Sequence, residues 1–155
     1  MPLKRVVFVC TGNICRSAMA EHLLRHWAQA RGLELEVSSC GTAAEPWYEM
    51  PEAAQRLLAA EGVPAFTHKA RLATRDTLRG ADLILAMSRQ HLEQVVERYP
   101  EHTSRTRLFR EHAGFGEQDV EDPYGRPDAV FASCLAVIKE SLEALIRADF
   151  RASAA

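Results

Sequence analysis

The 155-residue sequence lacks the features that mark membrane and secreted proteins. It has no apolar run near the roughly 18 residues that a membrane-spanning helix requires, and its start does not follow the pattern of a secretory signal peptide. Its four cysteines show no paired spacing of the zinc-ribbon kind, so no metal site and no cofactor are predicted. We therefore expect a soluble, cytoplasmic protein with no membrane association, no metal and no cofactor.

The sequence also lacks an excess of charge of either sign. Nineteen basic and 21 acidic residues are interspersed and give a formal net charge of −2. Without a basic stripe, there is no nucleic acid among the expected partners. No linker or internal repeat divides the chain, and its 47% hydrophobic content suffices for one core. We expect a single domain over residues 1–155, with residues 152–155 frayed.

Short apolar runs alternate with segments of helical periodicity along the chain. Strands are predicted over residues 4–9, 35–39, 82–87 and 106–109. Helices are predicted over residues 18–31, 51–61, 88–99 and 127–148. The alternation predicts an α/β fold, a four-stranded parallel sheet with helices on both faces. In such a sheet the functional site lies outside the carboxyl ends of the strands, where the strand order switches.

The segment between the first strand and the first helix has the composition of a phosphate-binding loop. It reads Cys10-Thr11-Gly12-Asn13-Ile14-Cys15-Arg16-Ser17, and we call residues 10–17 the phosphate loop. Its amides and the following helix N-terminus form an anion-binding nest, and Gly12 and Asn13 tolerate positive φ. The planar fork of Arg16 can hold two phosphoryl oxygens. Cys10, placed in this positive field, is expected to attack phosphorus as a thiolate and form a phosphocysteine, with Ser17 donating a hydrogen bond to the sulfur.

A second block, Asp122-Pro123-Tyr124, occupies a turn-like segment before the last predicted helix. A leaving phenolate needs a proton, and a positioned carboxylic acid can supply it. Pro123 stiffens the segment and biases Asp122 toward an extended conformation. The alternative is a solvated turn carboxylate, which is our interpretation of the neighbouring Asp119 and Glu121.

The phosphate loop, followed by Ala18-Met19-Ala20-Glu21, resembles the low-molecular-weight protein tyrosine phosphatase family. The Asp-Pro-Tyr block and the segment His68-Lys69-Ala70-Arg71 extend this resemblance over nearly the whole chain. The resemblance implies that Cys10 is the nucleophile, that Arg16 binds the phosphoryl oxygens and that Asp122 acts first as acid and then as base. It also implies phosphotyrosine-containing proteins as substrates, and phosphate or other oxyanions as inhibitors.

The resemblance further implies which side chains surround the substrate. The expected substrate-binding set is Thr11, Gly12, Asn13, Ile14, Cys15, Ser17, Trp47, Tyr48 and Tyr124. Flat aromatic walls suit an aryl phosphate, although Trp47 and Tyr48 could be ordinary loop packing and Tyr124 a core anchor. His68 would join Asn13 and Ser17 in a network that supports the loop, or be a purely structural histidine.

The cysteines bear on regulation and on the choice within the fold. In the family, Cys15 faces Cys10, so a protective Cys10–Cys15 disulfide is implied; the alternative is a packed thiol. Cys40 and Cys134 read as core thiols. The related arsenate reductases need two further cysteines after the third strand, and residues 70–110 contain none, which disfavours that activity.

Three functions remain open, with a tyrosine phosphatase as the leading one. In the related protein arginine phosphatases, threonine stands at the position of Ile14, and an apolar side chain there fits an aryl group better than a guanidinium. The third reading is a non-catalytic phosphate-binding or redox-sensing module, which would have no use for Asp122 as an acid. Gly125 stands where many members carry a second, phosphorylated tyrosine, so that regulation is not expected.

Overall fold

A parallel sheet of four strands organises the computed structural model, which describes residues 3–150. The strands are β1 (Arg5–Cys10), β2 (Glu36–Gly41), β3 (Leu83–Ala86) and β4 (Thr106–Leu108). Their spatial order is β2-β1-β3-β4, so the order switches beside β1. The predicted single-domain α/β fold is confirmed. The predicted fraying of residues 152–155 lies outside the described residues.

The helices lie on both faces of the sheet, as predicted. They are α1 (Arg16–Ala30), α2 (Glu52–Ala60), α3 (Arg75–Leu78), α4 (Arg89–Arg98), α5 (Phe109–His112) and α6 (Asp128–Asp149), with a 3-10 helix over Pro100–Arg105. One core holds side chains of α1, α2 and α6, and the other holds side chains of α3 and α4. None of the helices in residues 3–150 is long and apolar enough to cross a membrane.

Prediction from the sequence missed the two shortest helices and placed the start of α1 too late in the chain. α3 and α5 have four residues each, which is too short for a helical period to show. α1 begins at Arg16, two residues before the predicted start at Ala18. Arg16 and Ser17 therefore lie in the first helical turn, close to the amide-rich end of the helix.

The central strand β1 is buried on both faces, which is why its apolar residues run without alternation. Val6 and Phe8 pack into the core with α1 and α6, and Val7 and Val9 pack into the opposite core. β2 and β3 pair with β1 on either side. Cys10 therefore emerges at the carboxyl end of β1, at the switch in strand order where such folds place their sites.

Gly41, the last residue of β2, lies directly under the phosphate loop. A Cβ atom at this position would lie 2.3 Å from the Thr11 carbonyl oxygen and 2.9 Å from the Asn13 amide nitrogen. Both distances are shorter than any real contact, and both neighbours are backbone. The backbone of the loop therefore rests on this strand end, and only glycine leaves room for it.

We predict that Gly41→Ala lowers the free energy of unfolding by about 1–3 kcal/mol, the usual cost of overpacking, and reduces phosphate binding because the loop must move. Urea denaturation and phosphate titration measure the two effects. Gly12→Ala is the matched control for the stability measurement, since its Cβ would meet only side-chain atoms of Ile14 and Tyr48, at 3.7–3.9 Å. A Gly41→Ala protein as stable as the wild type would contradict the close approach.

Candidate active site

The conformation of the phosphate loop is set by Asn13, the one non-glycine residue with positive φ (59°) in the described chain. The sequence offered Gly12 as well, but Gly12 does not take positive φ. Asn13 Nδ2 donates to Ser17 Oγ (2.9 Å) and Ser39 Oγ (2.7 Å). Its Oδ1 accepts a bond from the Arg71 amide (2.9 Å). All polar atoms of this buried side chain thus hold the left-handed turn in place.

His68 supports the same turn from its backbone side. Its Nε2 lies 2.6 Å from the Asn13 carbonyl oxygen, and its Nδ1 lies 2.8 Å from His22 Nε2 on α1. Glu21, the neighbour of His22, accepts a hydrogen bond from Ser39 Oγ. The structure therefore brings the predicted network of Asn13, Ser17 and His68 together and adds Glu21 and His22 to it.

Sequence reasoning missed Glu21 and His22, although a signal was present. Ser17 and Glu21 are four residues apart on α1 and so share one face of the helix. A carboxylate and an imidazole in a buried turn of a helix need polar partners, and the nearest polar candidates along the chain were the residues of the phosphate loop. That reasoning would have directed both side chains toward the site.

Cys10 lies at the floor of the site with its sulfur 2.8 Å from Ser17 Oγ. Arg16 Nη1 donates to the Val120 carbonyl oxygen (3.1 Å), and its Nη2 lies 3.6 Å from the Asp122 carboxylate. One guanidinium therefore links the phosphate loop to the segment that carries the predicted acid. The nucleophile and acid candidates, more than a hundred residues apart in sequence, meet at this link.

A cavity of about 270 Å³ opens above the sulfur. Its lining consists of Cys10, Thr11, Gly12, Ile14, Cys15, Arg16, Tyr48, Asp122 and Tyr124. Three residues of the expected substrate-binding set are not among them. Asn13 and Ser17 belong to the loop but are fully buried. Trp47 is 70% exposed and meets the Tyr48 ring edge-on, with ring centroids 6.2 Å apart. Tyr48 and Tyr124 therefore provide the aromatic walls.

The first two residues of the segment 119–125, which we call the acid loop, hold it against the start of α4 and the residue that follows β3. The Asp119 carboxylate accepts a bond from the Arg89 amide (2.9 Å) at the start of α4. The Val120 amide donates to the Met87 carbonyl oxygen (2.7 Å). Asp119, which the sequence assigned to solvent, is exposed but anchors the loop. The position of Asp122 thus depends on contacts that lie outside its own Asp-Pro-Tyr block.

A second histidine missed by the sequence, His91, supports the loop from the side of α4. Its Nε2 lies 2.8 Å from Thr11 Oγ1, and its Nδ1 lies 2.8 Å from Ser88 Oγ. Ser88 also caps α4 by accepting a bond from the His91 amide. Burial, with a smaller contribution from the nearby Arg16, lowers the pKa of His91 to about 4. His91 is therefore a neutral imidazole at pH 7.

All four cysteines are buried and free. Burial, with a smaller contribution from the neighbouring Cys10, raises the pKa of Cys15 to about 12. Burial likewise raises the pKa of Cys40 and of Cys134 to about 12. These three side chains are thiols at neutral pH. Cys40 and Cys134 lie in the two cores, as the sequence indicated.

Glu21, His22 and His68 bring possible metal-ligand atoms within 4.8 Å of one another, the one such group within residues 3–150. The guanidinium of Arg25 lies against two of them, with Nη2 2.7 Å from the Glu21 carboxylate and Nη1 3.3 Å from His22 Nδ1. A fixed cation thus already neutralises the carboxylate. The group is organised as a hydrogen-bond network around this cation.

Comparison with known proteins, by family profile, sequence and structure, shows which proteins this chain resembles. The family profile described as low molecular weight phosphotyrosine protein phosphatase matches residues 5–153. A protein-arginine-phosphatase of Bacillus subtilis is 32% identical over 92% of this chain and 91% of its own. The low molecular weight protein-tyrosine phosphatase A of Mycobacterium bovis is 35% identical, over 90% of this chain and 88% of its own. The solved low molecular weight protein tyrosine phosphatase of T. tengcongensis superposes with a TM-score of 0.88 at 36% identity, covering 93% of this chain and 98% of that one.

The fold is a four-stranded parallel sheet with a cysteine-containing phosphate loop at its switch point, and the relatives match nearly the whole chain. Together these features define a phosphatase that uses a cysteine. The chain belongs to the low molecular weight phosphotyrosine protein phosphatase family. Its reaction class is the hydrolytic removal of a phosphoryl group from proteins.

The role of Asn13 can be tested by separating its backbone conformation from its side-chain bonds. We predict that Asn13→Gly, which keeps the left-handed turn but loses three buried bonds, lowers the free energy of unfolding by about 2–4 kcal/mol. Asn13→Ala adds the strain of a Cβ at positive φ and falls about 1 kcal/mol lower still. Urea denaturation measures both. Equal stabilities for the two variants would show that the turn does not depend on its left-handed residue.

Proposed function

We propose that this phosphatase hydrolyses phosphotyrosine and other aryl phosphates, with Cys10, Arg16 and Asp122 as its catalytic residues. The observation that carries the proposal is that all three line one cavity whose further walls include Tyr48 and Tyr124. The cavity provides a nucleophile and an acid, and its aromatic walls suit an aryl leaving group. The substrates would be phosphotyrosine-containing proteins.

The first step transfers the phosphoryl group to the enzyme. The Cys10 thiolate attacks phosphorus, the S–P bond forms and the P–O bond to the tyrosine oxygen breaks. Arg16 and the loop amides hold the phosphoryl oxygens, where charge is concentrated in the transition state. The Asp122 carboxylic acid gives its proton to the departing phenolate oxygen. The products of this step are a phosphocysteine, a free tyrosine side chain and an Asp122 carboxylate.

The second step returns the enzyme to its starting state. The Asp122 carboxylate takes a proton from a water molecule, whose oxygen attacks the phosphocysteine and releases inorganic phosphate. The sulfur leaves as a thiolate. Ser17 Oγ, 2.8 Å from the sulfur, donates a hydrogen bond that stabilises the leaving thiolate and makes this step easier.

The choice between phosphotyrosine and phosphoarginine rests on Ile14, which lines the cavity. Its branched apolar side chain packs against an aromatic ring but leaves a guanidinium without a polar partner, which is costly in a closed site. The second candidate function, a protein arginine phosphatase, has support in the similarity to the Bacillus subtilis enzyme over nearly the full length. Ile14 thus favours phosphotyrosine as the substrate. Overall similarity does not decide the question, because the relatives include both arginine and tyrosine phosphatases.

The same site supports three finer proposals. Phosphate and other oxyanions would compete with substrate, because the loop amides and Arg16 bind any tetrahedral anion of that size. Catalysis by a thiolate requires a reducing compartment, for which we propose the cytoplasm. A Cys10–Cys15 disulfide would protect the nucleophile from irreversible oxidation, and both thiols are free and line the same cavity.

The substrate class is tested by turnover of matched phosphotyrosine and phosphoarginine peptides with EDTA present. We expect hydrolysis of phosphotyrosine, none with Cys10→Ser, and retained phosphate binding by that variant. Ile14→Thr should shift the preference toward phosphoarginine by about tenfold or more. Preference of the wild type for phosphoarginine would establish the second candidate. Absent turnover with phosphate still bound would instead indicate a binding module.

The acid role of Asp122 is tested with a series of aryl phosphates whose leaving groups differ in pKa. We expect Asp122→Asn to slow the poorest leaving group by about 10²–10⁴-fold, the usual contribution of a general acid, and the best leaving group far less. Glu121→Gln is the matched control, because that neighbouring carboxylate is exposed and does not line the cavity. Unchanged rates in Asp122→Asn, or equal losses in both variants, would exclude Asp122 as the acid.

A further inference from the structure

A chain of four side-chain and backbone groups runs behind the phosphate loop and ends on Asn13. Arg25 Nη1 lies 3.3 Å from His22 Nδ1. His22 Nε2 lies 2.8 Å from His68 Nδ1, and His68 Nε2 lies 2.6 Å from the Asn13 carbonyl oxygen. Nothing in the proposed reaction uses Arg25 or His22. Both residues are nevertheless linked through His68 to Asn13, which shapes the loop, so we ask what this link does for the site.

The two ends of this chain fix the proton positions within it. A carbonyl oxygen only accepts hydrogen bonds, so the bond to Asn13 needs a proton on His68 Nε2. A guanidinium only donates, so the contact with Arg25 needs a lone pair on His22 Nδ1. His22 then carries its proton on Nε2 and donates it to His68 Nδ1. Both imidazoles are neutral, and every hydrogen bond points from Arg25 toward Asn13.

Adding a proton anywhere in this chain breaks a bond. A cationic His68 would carry a proton on Nδ1, so His22 would have to accept there and move its own proton to Nδ1, where it would face the guanidinium of Arg25. The charged and titratable groups that act on His22 are Glu21 and Arg25 on its own helix and His68 opposite. Desolvation by burial lowers the pKa of His22 to about 4, although Glu21 opposes this shift. The geometry and the burial both favour the neutral pair.

We propose that His22 is a positioning residue which, oriented by Arg25, holds His68 as its neutral Nε2–H tautomer and so keeps the Asn13 carbonyl oxygen hydrogen-bonded. The inference deepens the proposed function, since the loop that Asn13 shapes is the proposed phosphate site. The stacking of the His22 ring on Phe66, with centroids 3.9 Å apart, fixes the ring plane that the chain of bonds requires.

The proposal predicts that His22→Ala loses activity at pH 7.5 and regains it at pH 5.5. In His22→Ala, a neutral His68 is free to place its proton on Nδ1, which leaves the Asn13 carbonyl oxygen unbonded. An added proton gives an imidazolium, which donates from both nitrogens, and this restores the bond. We expect the ratio of variant to wild-type kcat/KM for an aryl phosphate to fall about 5-fold at pH 7.5, corresponding to one net hydrogen bond, and to recover to within about 2-fold at pH 5.5.

Two further variants separate positioning from a packing role. His22→Gln keeps an N–H donor near the place of Nε2 and cannot titrate, so it should restore most of the activity at pH 7.5. His26→Ala removes another histidine of α1, one that takes no part in this chain of hydrogen bonds, and its pH profile should match the wild type. A loss in His22→Ala that is equal at both pH values and is not rescued by glutamine would overturn the proposal.

A measurement that does not depend on turnover separates this proposal from the proposed function. Imidazole ¹⁵N shifts of the wild-type protein should show both His22 and His68 as neutral Nε2–H tautomers from pH 5.5 to pH 7.5. Titration of inorganic phosphate, monitored by the loop amides, should show the same acid-relieved weakening in His22→Ala. A protonated or Nδ1–H His68 in the wild type would overturn the positioning role, even in an active phosphatase. Absent turnover with the expected tautomers would count against the proposed function alone.

Discussion

The structure of the site depends on the left-handed turn at Asn13. A non-glycine residue at positive φ is strained, and here the strain is balanced by hydrogen bonds on every polar atom of the side chain and on the carbonyl oxygen. These bonds reach β2, α1 and the segment around residues 68–71, so the turn cannot relax without disturbing all three. The phosphate loop is therefore rigid before any anion arrives, which is how a preorganised site lowers the cost of binding charge.

Much of the fold was predictable from the sequence because its signals are local. The apolar run ending at Cys10 predicts a strand buried on both faces, and the alternation of strands and helices predicts the parallel sheet. The site's position at the end of β1 then follows from the switch in strand order. The four-residue helices α3 and α5 were missed because an element that short has no measurable period. The capping box of Thr74 and Thr77 at α3 was the local signal available.

The part of the site that the sequence did not predict consists of contacts between distant segments. The sequence alone suggests that Asp119 is a solvated turn residue. Its bond to the start of α4 becomes visible only in the structure. The sequence alone suggests that His91 is one polar residue of an amphipathic helix. In the structure, its Nε2 lies 2.8 Å from Thr11 Oγ1. Trp47 was expected in the cleft, but only the neighbouring Tyr48 faces it. Such contacts are set by how helices and loops pack, and local patterns do not encode them.

Two neutral histidines on opposite sides of the loop show how charge is distributed in this site. Burial lowers the pKa of both His22 and His91 to about 4, so neither adds a positive charge at neutral pH. The positive charge at the site then comes from Arg16 and from the partial positive charge at the N-terminus of α1, which begins at that residue. The two imidazoles instead orient hydrogen bonds around the loop, because a neutral ring donates from one nitrogen and accepts at the other. A cationic His68 would keep its bond to the Asn13 carbonyl oxygen, but it would break the path of hydrogen bonds through His22 to Arg25, so only the neutral rings satisfy every bond in this arrangement.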